Sequence, residues 1–533
     1  MTSRSIDKSR QKNLHCSDSS SSQVLDDRVS FRDWVGVLAA AGAAFMAMFA
    51  LMSVAPAMDD ISGDLGVPVP LGAWVVYAAL TAQIVAVPLA GFFSQVFSTR
   101  RYFLVNTCLF LVFSVACSFA TNLPTMIVLR ATQGLMAGGL SAIAIATIVT
   151  KLPPSKRPIG LALYGISNAL APGIAPVSGG WITYHYSWHY VFYITLIPGI
   201  LVLAAAYYGL KPEPMKLQLL ERQDWLGVIL FIVALVSFEY VIQDGTLKNW
   251  FDYLPMVYFS IIALVCTLLF VAVELNRQHS LVNLRLLGQG SFALSILITT
   301  MYGFAQGESL IILVFYAIPI LDYNAIEIGE VIAAYGFPQV VTTPLAPKLM
   351  QRFDPRAIAS IGLIGYGISF WMNVNMTHQT AIYQLIPSLI VRGLAQPFVT
   401  SPLSSIVTSQ LEKKDSRDAS ILFSAALFIS MTIGIAFLKE FQSDRTQFHA
   451  SHINEAVSLY NSITLERINE LTQYFLSQGG GEELARNRAI SVISGIITRE
   501  SSVMGFADCY YVIGWVLIVA AGLVFLVRKP RSS

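Results

Sequence analysis

The sequence predicts an all-α polytopic membrane protein with fourteen transmembrane helices, built as two six-helix halves with two further helices between them. The first observation is composition. Of 533 residues, 55% are hydrophobic and 12% charged, with a mean hydropathy of +0.61, whereas soluble domains carry about 25% charged residues. The second is the recurrence of apolar stretches of about 20 residues, each long enough to cross the hydrocarbon core as a helix. The third is the alternation of basic and non-basic loops.

Fourteen apolar stretches can be delimited along the chain. They begin near Trp34, Leu71, Tyr102, Pro124, Pro158, Tyr190, Trp225, Leu254, Ser291, Ile326, Ala357, Ala381, Asp418 and Phe506. We predict a disordered, Ser-rich cytoplasmic tail over 1–32. The membrane part then divides into a six-helix half, 33–211, two accessory helices, 212–280, and a second six-helix half, 281–533.

Loop charge predicts the orientation. Alternate loops hold the basic residues Arg100, Arg101, Lys151, Lys156, Arg157, Lys211, Lys216, Arg222, Arg277, Arg285, Lys348, Arg352, Arg356, Lys413, Lys414, Arg417, Arg528, Lys529 and Arg531. The intervening short loops hold Lys248 and almost no other basic residue. Both termini are therefore expected in the cytoplasm. The net charge of +2 gives no indication of a nucleic-acid partner.

A non-membrane segment is predicted on the outer face, at about 439–503. Its apolar residues recur at helical spacing, which indicates one or two amphipathic helices separated at Gly479–Gly481. Such helices either dock a partner or cap the bundle.

The two halves share a repeated pattern. Pro88-Leu89-Ala90 precedes Gln95, Phe97 and Arg100, and Pro344-Leu345-Ala346 precedes Gln351, Phe353 and Arg356 at the same offsets. An arginine within a span follows each copy, Arg130 in the first half and Arg392 in the second. Two matching halves with a substrate site between them are usual in secondary transporters. We expect cytoplasmic gating loops that contain Gln95, Arg100, Arg101, Arg352 and Arg356.

Polar residues at membrane depth are the candidates for a substrate or proton pathway, because each charged one costs about 2.5–3.5 kcal/mol on insertion scales. The candidates are Arg130, Gln133, Glu239, Glu308 and Arg392. Glu308 is the favoured titrating acid. The alternatives are that Arg130 is a structural hydrogen-bond hub, that Glu239 reaches water near the outer end of its span, and that Glu308 lies in a wet polar patch.

Span five is rich in prolines and small residues: Pro172, Pro176, Gly179 and Gly180. Prolines bend a helix and small residues let a neighbouring helix approach closely. A hinge between the halves needs both properties, although static helix packing uses them too.

No cofactor, metal site or enzymatic activity is predicted. The sequence has no GxxxxGK[ST] phosphate loop and no HExxH motif. Its five cysteines have no metal-like spacing, and the four that lie in or beside apolar segments are expected to be small core residues.

Several motifs together resemble the fourteen-span drug/proton antiporter branch of the major facilitator superfamily, the EmrB/QacA type. They are, in chain order, Gly63–Gly66, Leu129–Gly134, Ala175–Gly180, Trp188–Tyr193, Pro198-Gly199, Asp224–Gly227, and Asp244-Gly245 with Trp250. The likeness covers essentially the whole chain after the tail.

The resemblance implies the major facilitator fold, a bacterial inner membrane, and export of amphiphilic small molecules driven by inward proton flow. It also allows a periplasmic adaptor and an outer-membrane channel as partners. The alternatives are a dedicated metabolite or siderophore exporter, an uncoupled facilitator, and a transport-inactive scaffold or sensor.

Two positions depart from the pattern of that branch. Its members usually carry an aspartate in span one, where this chain has no acid between Phe49 and Pro56. The loop between spans two and three should hold an Asp and a Gly, where this chain has Gln95 and Ser98. Proton coupling would therefore have to use Glu308 or Glu239.

Overall fold

The computed structural model describes residues 29–153, 156–222, 224–277, 282–321, 323–380, 382–411, 416–458, 460–479 and 481–528, with the backbone alone at 158, 222, 308–321, 382, 416 and 417. The prediction of a disordered tail falls on 1–32, of which 1–28 lie outside these residues.

Long α-helices make up most of the described chain. They are α1 (Phe31–Met52), α2 (Trp74–Phe97), α3 (Thr99–Cys117), α4 (Leu123–Lys151), α5 (Arg157–His185), α6 (Leu196–Gly209), α7 (Trp225–Asp244), α8 (Leu254–Asn276), α9 (Gly290–Leu321), α10 (Ala325–Thr342), α11 (Pro355–Trp371), α12 (Ile382–Ala395), α13 (Pro397–Ser409), α14 (Ser416–Ala456), α15 (Ser462–Ser477) and α16 (Glu482–Leu523).

Every predicted span coincides with one of these helices, and α12 and α13 together form the twelfth. Within the described residues, ten helical segments have the length and apolar composition needed to cross a membrane. The predicted spans outside those ten correspond to α9, α10, α11 and the α12–α13 pair. The all-helical prediction is confirmed, and the number of fourteen crossings stays a prediction.

The helices pack as two groups with a smaller pair between them. In the first group α4 packs on α1, α2 and α3, and in the second α16 packs on α11 and α14. The groups meet where α5 packs on α10 and α2 touches α14. The accessory helix α7 packs on α8 and also contacts α2 and α14. This arrangement agrees with the predicted two halves and inserted pair.

The outer segment differs from the prediction. The last span was expected to begin near Phe506, but α16 runs without interruption from Glu482. At a rise of 1.5 Å per residue, α14 and α16 are each about 60 Å long, twice the hydrocarbon thickness. No proline interrupts the chain between 439 and 503, so α14 and α16 continue as helices beyond the length that a bilayer requires. The amphipathic helix α15 packs on α16 through its buried Ile468, and the expected break falls at Gly479 (φ +92°).

The repeated Pro-Leu-Ala pattern takes two conformations. Helix α2 continues through Pro88 to Phe97. In the second copy α10 ends at Thr342, and a separate short helix, Leu345–Met350, begins after Pro344. The sequence match therefore predicts the position of each copy along the chain but not its local backbone.

Candidate functional site

The two halves meet most closely where α5 crosses α10. A Cβ atom on Gly180 would overlap the carbonyl oxygen of Ala325, and one on Gly336 would overlap the backbone of Gly173. On the other side of α5, a Cβ on Gly179 would overlap the carbonyl of Ser53, at the outer end of α1. Glycine is therefore required at these positions for the backbones to touch. Of the predicted hinge residues, Gly180 lies in the contact with α10 and Gly179 lies in the contact with the end of α1.

The prolines of α5 direct carbonyl groups at α10. Pro176 has no N–H, so the carbonyl of Pro172, four residues earlier, has no donor within its own helix. That carbonyl faces Gly336, and the Pro176 carbonyl lies 2.6 Å from where a Cβ of Gly329 would stand. Pro172 and Pro176 are both buried. The carbonyl groups of Pro172 and Pro176 therefore lie directly against the glycines of α10.

A central cavity of about 240 Å³ lies beside this contact, between the halves. Its lining is amphiphilic. It is formed by Met48, Met52, Gly165, Asn168, Ala169, Pro172, Gln306, Ile332, Tyr335, Gln339, Thr343, Gln396, Pro397, Thr400 and Ser401. The Tyr335 hydroxyl donates to Gln396 Oε1 at 2.7 Å. Among the described side chains this lining has carboxamides and hydroxyls but no ionisable acid or base, so it suits ligands that combine apolar surface with hydrogen-bonding groups.

Arg130 and Gln133 lie together and away from the central cavity. Arg130 is 1% exposed and donates to the carbonyl oxygens of Val75 (2.9 Å) and Ala50 (3.5 Å). It also donates to Gln133 Oε1 at 2.6 Å, and Gln133 donates to Ser114 Oγ at 2.8 Å. These bonds join α4 to α1, α2 and α3. A structural hub makes bonds of this kind, and the role of Arg130 and Gln133 in a substrate or proton pathway stays a prediction.

Arg392 occupies a similar place in the second half. It is 1% exposed, its guanidinium carbon lies 3.8 Å from the Phe370 ring centroid, and Nε donates to Ser369 Oγ at 3.3 Å. It therefore joins α12 to α11, and it does not line the central cavity.

Of the two candidate acids, Glu239 is the one whose side chain the structure describes. It is 1% exposed, which contradicts the expectation that it reaches water at the outer end of its span. Its Oε1 accepts from Gln243 Nε2 at 3.1 Å, and Oε2 has no hydrogen-bond partner among the described residues. Burial follows from the docking of α7 against both halves, a contact that an isolated span does not predict.

Helix α7 is held to each half by polar contacts one turn from Glu239. Trp74 of α2 donates through Nε1 to Asp244 Oδ1 at 2.7 Å. Gln243 Nε2 donates to the carbonyl of Thr432 in α14 at 3.4 Å. Glu239 thus lies where an accessory helix bridges the two halves.

Lys248 lies just beyond the C-terminal end of α7. Its Nζ lies 2.8 Å from Asp244 Oδ2 and donates to the Tyr240 hydroxyl at 2.7 Å. Partial burial alone would lower the pKa of Lys248, but the hydrogen bonds to Asp244 and Tyr240 raise it. The Lys248 charge is therefore retained where α7 ends.

Most of the residues predicted for gating loops lie at helix ends: Gln95 in the last turn of α2, Arg100 and Arg101 in the first turn of α3, and Arg356 at the start of α11, whereas Arg352 lies between helices. The Glu308 side chain lies outside the described residues. Gln95, Arg101 and Arg352 are exposed. The Arg100 guanidinium lies 4.5 Å from the Tyr207 ring centroid. Arg356 pairs with Asp354 at 2.9 Å and donates to the carbonyl of Val527 at 3.0 Å, beside the end of α16. Their gating roles stay predictions.

The sequence profile of the Major Facilitator Superfamily matches residues 40–318 and again 292–441, and so covers both halves. The chain belongs to the Major Facilitator Superfamily. Its similarity to individual members extends over nearly the whole length.

The chain is 26% identical over 490 residues to the colistin resistance protein EmrB of Acinetobacter baumannii, covering 92% of this chain and 95% of that protein. It is 25% identical to the multidrug export protein EmrB of Haemophilus influenzae, covering 79% and 82%. A solved D-xylose–proton symporter superposes with a TM-score of 0.60 at 14% identity, covering 93% of this chain and 98% of that one. The symporter supports the fold alone.

Several residues that line the central cavity were not predicted from the sequence. Tyr335 and Gln339 of α10 line it, as does Thr343 directly after this helix. They follow one another at intervals of four residues, so a polar stripe within an apolar span was the signal that could have identified them. Gln396 falls at the junction of α12 and α13, where no periodic pattern marks it.

Ser98 adopts a backbone conformation that favours glycine, the residue expected at this position from the family pattern. Its φ is +72° with ψ 145°, it is 2% exposed, and its hydroxyl has no hydrogen-bond partner among the described residues. Such a conformation costs a non-glycine residue about 1–3 kcal/mol.

We expect Ser98→Gly to raise the free energy of unfolding by about 1–2 kcal/mol, because it removes this strain and the unbonded hydroxyl. Thermal unfolding in detergent measures it. Asn249→Gly is the control, since Asn249 (φ +53°) is in the left-handed region that asparagine tolerates. An equal gain from both variants would contradict the strain argument.

Proposed function

We propose that this protein is a secondary exporter that moves amphiphilic organic compounds out of the cytoplasm, as in multidrug efflux. The observation that carries the proposal is the amphiphilic central cavity between the two halves, lined by Met48 and Met52 as well as by carboxamides and hydroxyls. Methionine is a flexible apolar residue common at promiscuous binding surfaces. The end-to-end similarity to proteins named for multidrug export supports the same activity.

Export is proposed to be coupled to inward proton flow. With no acid in span one, coupling needs another carboxylate at membrane depth. Glu239 meets three requirements on geometry: it is buried, its Oε2 has no hydrogen-bond partner in the part of the chain that the structure describes, and its helix contacts both halves. Burying an ionised carboxylate with a single hydrogen bond is costly, so proton uptake would favour the packed arrangement. Glu308, the acid favoured on sequence alone, is the second candidate because its side chain lies outside the described residues.

The cellular setting follows from the loop charges and from the relatives. We propose the bacterial inner membrane, fourteen crossings and cytoplasmic termini. The helical projection formed by α15 with the outer ends of α14 and α16 is the proposed contact for a periplasmic adaptor and, through it, an outer-membrane channel. Its exposed Tyr460, Ile463 and Tyr474 supply apolar surface for such a contact.

Accumulation of a fluorescent amphiphile in cells tests the proposal. Cells that express the protein should hold less dye than cells with an empty vector, and a protonophore should remove the difference. Export that persists with the protonophore would contradict proton coupling and favour an uncoupled facilitator. No difference for any of a panel of amphiphiles would favour a single-metabolite exporter or an inactive scaffold. Failure of expression would also give no difference in dye between the cells. Assaying dye transport by the purified protein in proteoliposomes with an imposed pH gradient removes that explanation.

A further inference from the structure

A second cavity lies on the flank of the first half, away from the central cavity. It is a groove of about 500 Å³ between α2, α3 and α4, with Met215 of the connection after α6 at its end. Its walls are apolar, including Leu89, Phe93 and Leu135. Val105 and Leu109, also in its lining, are 58% and 38% exposed, so the groove is open on the side of α3.

The polar groups of this groove are gathered at its end near the α2–α3 loop. The amide of Asn106 is already used, since it donates to the carbonyl of Met136 at 2.6 Å. The Tyr102 ring stacks on Phe93, with centroids 6.3 Å apart. Arg101 is exposed and makes no salt bridge among the described residues. A free guanidinium therefore stands at one end of an otherwise apolar groove.

The loop chemistry explains why Arg101 is free. The family pattern has an acid in this loop, but this chain has the uncharged Gln95 at that position. The neighbouring Arg100 is engaged by the Tyr207 ring, at 4.5 Å. The backbone N–H of Lys216 donates to the carbonyl of Val96 at 2.8 Å, which fixes the connection that carries Met215 over the groove. The site is thus preformed, with one unused positive charge.

We propose that this groove binds an anionic phospholipid from the cytoplasmic leaflet. The phosphate would lie at Arg101 and an acyl chain would run along the groove between α2 and α3. From Phe97 to Ala86 the wall of α2 is about 16 Å long, at 1.5 Å per residue, which accommodates most of an acyl chain. Charge complementarity selects an anionic headgroup, because basic residues at the membrane surface attract anionic lipids and a zwitterionic headgroup gains little.

Native mass spectrometry of the full-length protein tests the assignment. The protein is purified in detergent with an equal mixture of phosphatidylglycerol and phosphatidylcholine. Wild type should retain phosphatidylglycerol in preference. Arg101→Gln should retain about fivefold less, the factor that corresponds to the loss of one basic side chain. Arg100→Gln removes the same charge one residue away and should retain as much as wild type.

A second variant tests the apolar part of the groove. Val105→Trp fills the groove and keeps Arg101, so it should lower retention as well, and it keeps the test decisive if Arg101→Gln is poorly folded. Equal retention of the two lipids by wild type would overturn the proposal, as would unchanged retention in both groove variants. Displacement of the lipid by an equimolar amphiphilic dye would reassign the groove to substrate entry. None of these outcomes depends on whether the protein exports.

Discussion

Replacing Glu239 with glutamine is expected to abolish proton-driven export and to leave the fold intact. Glutamine has nearly the same shape and keeps an oxygen that can accept from Gln243 Nε2, the bond that Glu239 makes at 3.1 Å. It cannot bind or release a proton. If Glu239 couples proton flow to the movement of the halves, the variant loses the effect of a pH gradient on transport.

The measurement is uptake of a fluorescent amphiphile into everted membrane vesicles when an imposed pH gradient is the driving force. Wild type should respond to the gradient, whereas Glu239→Gln should behave like wild type without one. Counterflow of pre-loaded substrate needs no proton flux, so it should survive in the variant. Retained counterflow would establish that the protein is folded and binds substrate.

Glu274→Gln is the matched control for this experiment. Glu274 is also a buried acid of the accessory pair, 2% exposed, but its Oε2 accepts from the backbone N–H of Val282 at 3.3 Å. Its role is to hold the connection after α8, and its replacement should leave gradient-driven transport unchanged. A full response to the pH gradient in Glu239→Gln would exclude Glu239 and leave Glu308 as the candidate acid.

Local composition was sufficient to predict the helices of this protein. Apolar stretches of about 20 residues have one solution in a bilayer, because each backbone group must be bonded within its own segment. The place of each helix along the chain and the glycines of α5 followed from residue type alone. The extension of α14 and α16 beyond the membrane did not, since the same helical periodicity suits a separate surface helix.

The candidate site was less predictable because it depends on which helices touch. Arg130 is conspicuous in the sequence, but its bonds go to carbonyls of Val75 and Ala50, which have no sequence signature. The sequence indicates a peripheral position for Glu239, because the packing of α7 against α2 and α14 has no local signature. The cavity side chains Gln339 and Gln396 are uncharged and distant in sequence, so the polar stripe that marks Gln339 does not indicate that the two residues line one cavity.

Replacing Gly336 with alanine is expected to impair transport through the contact of α5 with α10, and it needs no ionisable group to do so. A methyl group there would overlap the backbone of Gly173 and the carbonyl of Pro172. Both obstacles are main-chain atoms, so a side-chain rotation cannot relieve them and the helices must separate. Overpacking of this kind costs about 1–3 kcal/mol, and the cost falls on the state in which the halves are in contact.

Gly495→Ala distinguishes this effect from a general effect of alanine in a helix. A Cβ on Gly495, within α16, meets no atom within 4 Å, so alanine there should stabilise the helix by up to about 1 kcal/mol. With dye export at a fixed expression level as the readout, Gly336→Ala should fall about tenfold or more, the factor that 1.4 kcal/mol or more corresponds to, and Gly495→Ala should match wild type. The state that Gly336→Ala disfavours can be identified by cysteine cross-linking between the outer ends of α5 and α10. If cross-linking and export both stay at wild-type levels, the close approach of these helices is packing alone, and the rocking movement must pivot elsewhere along the boundary between the halves.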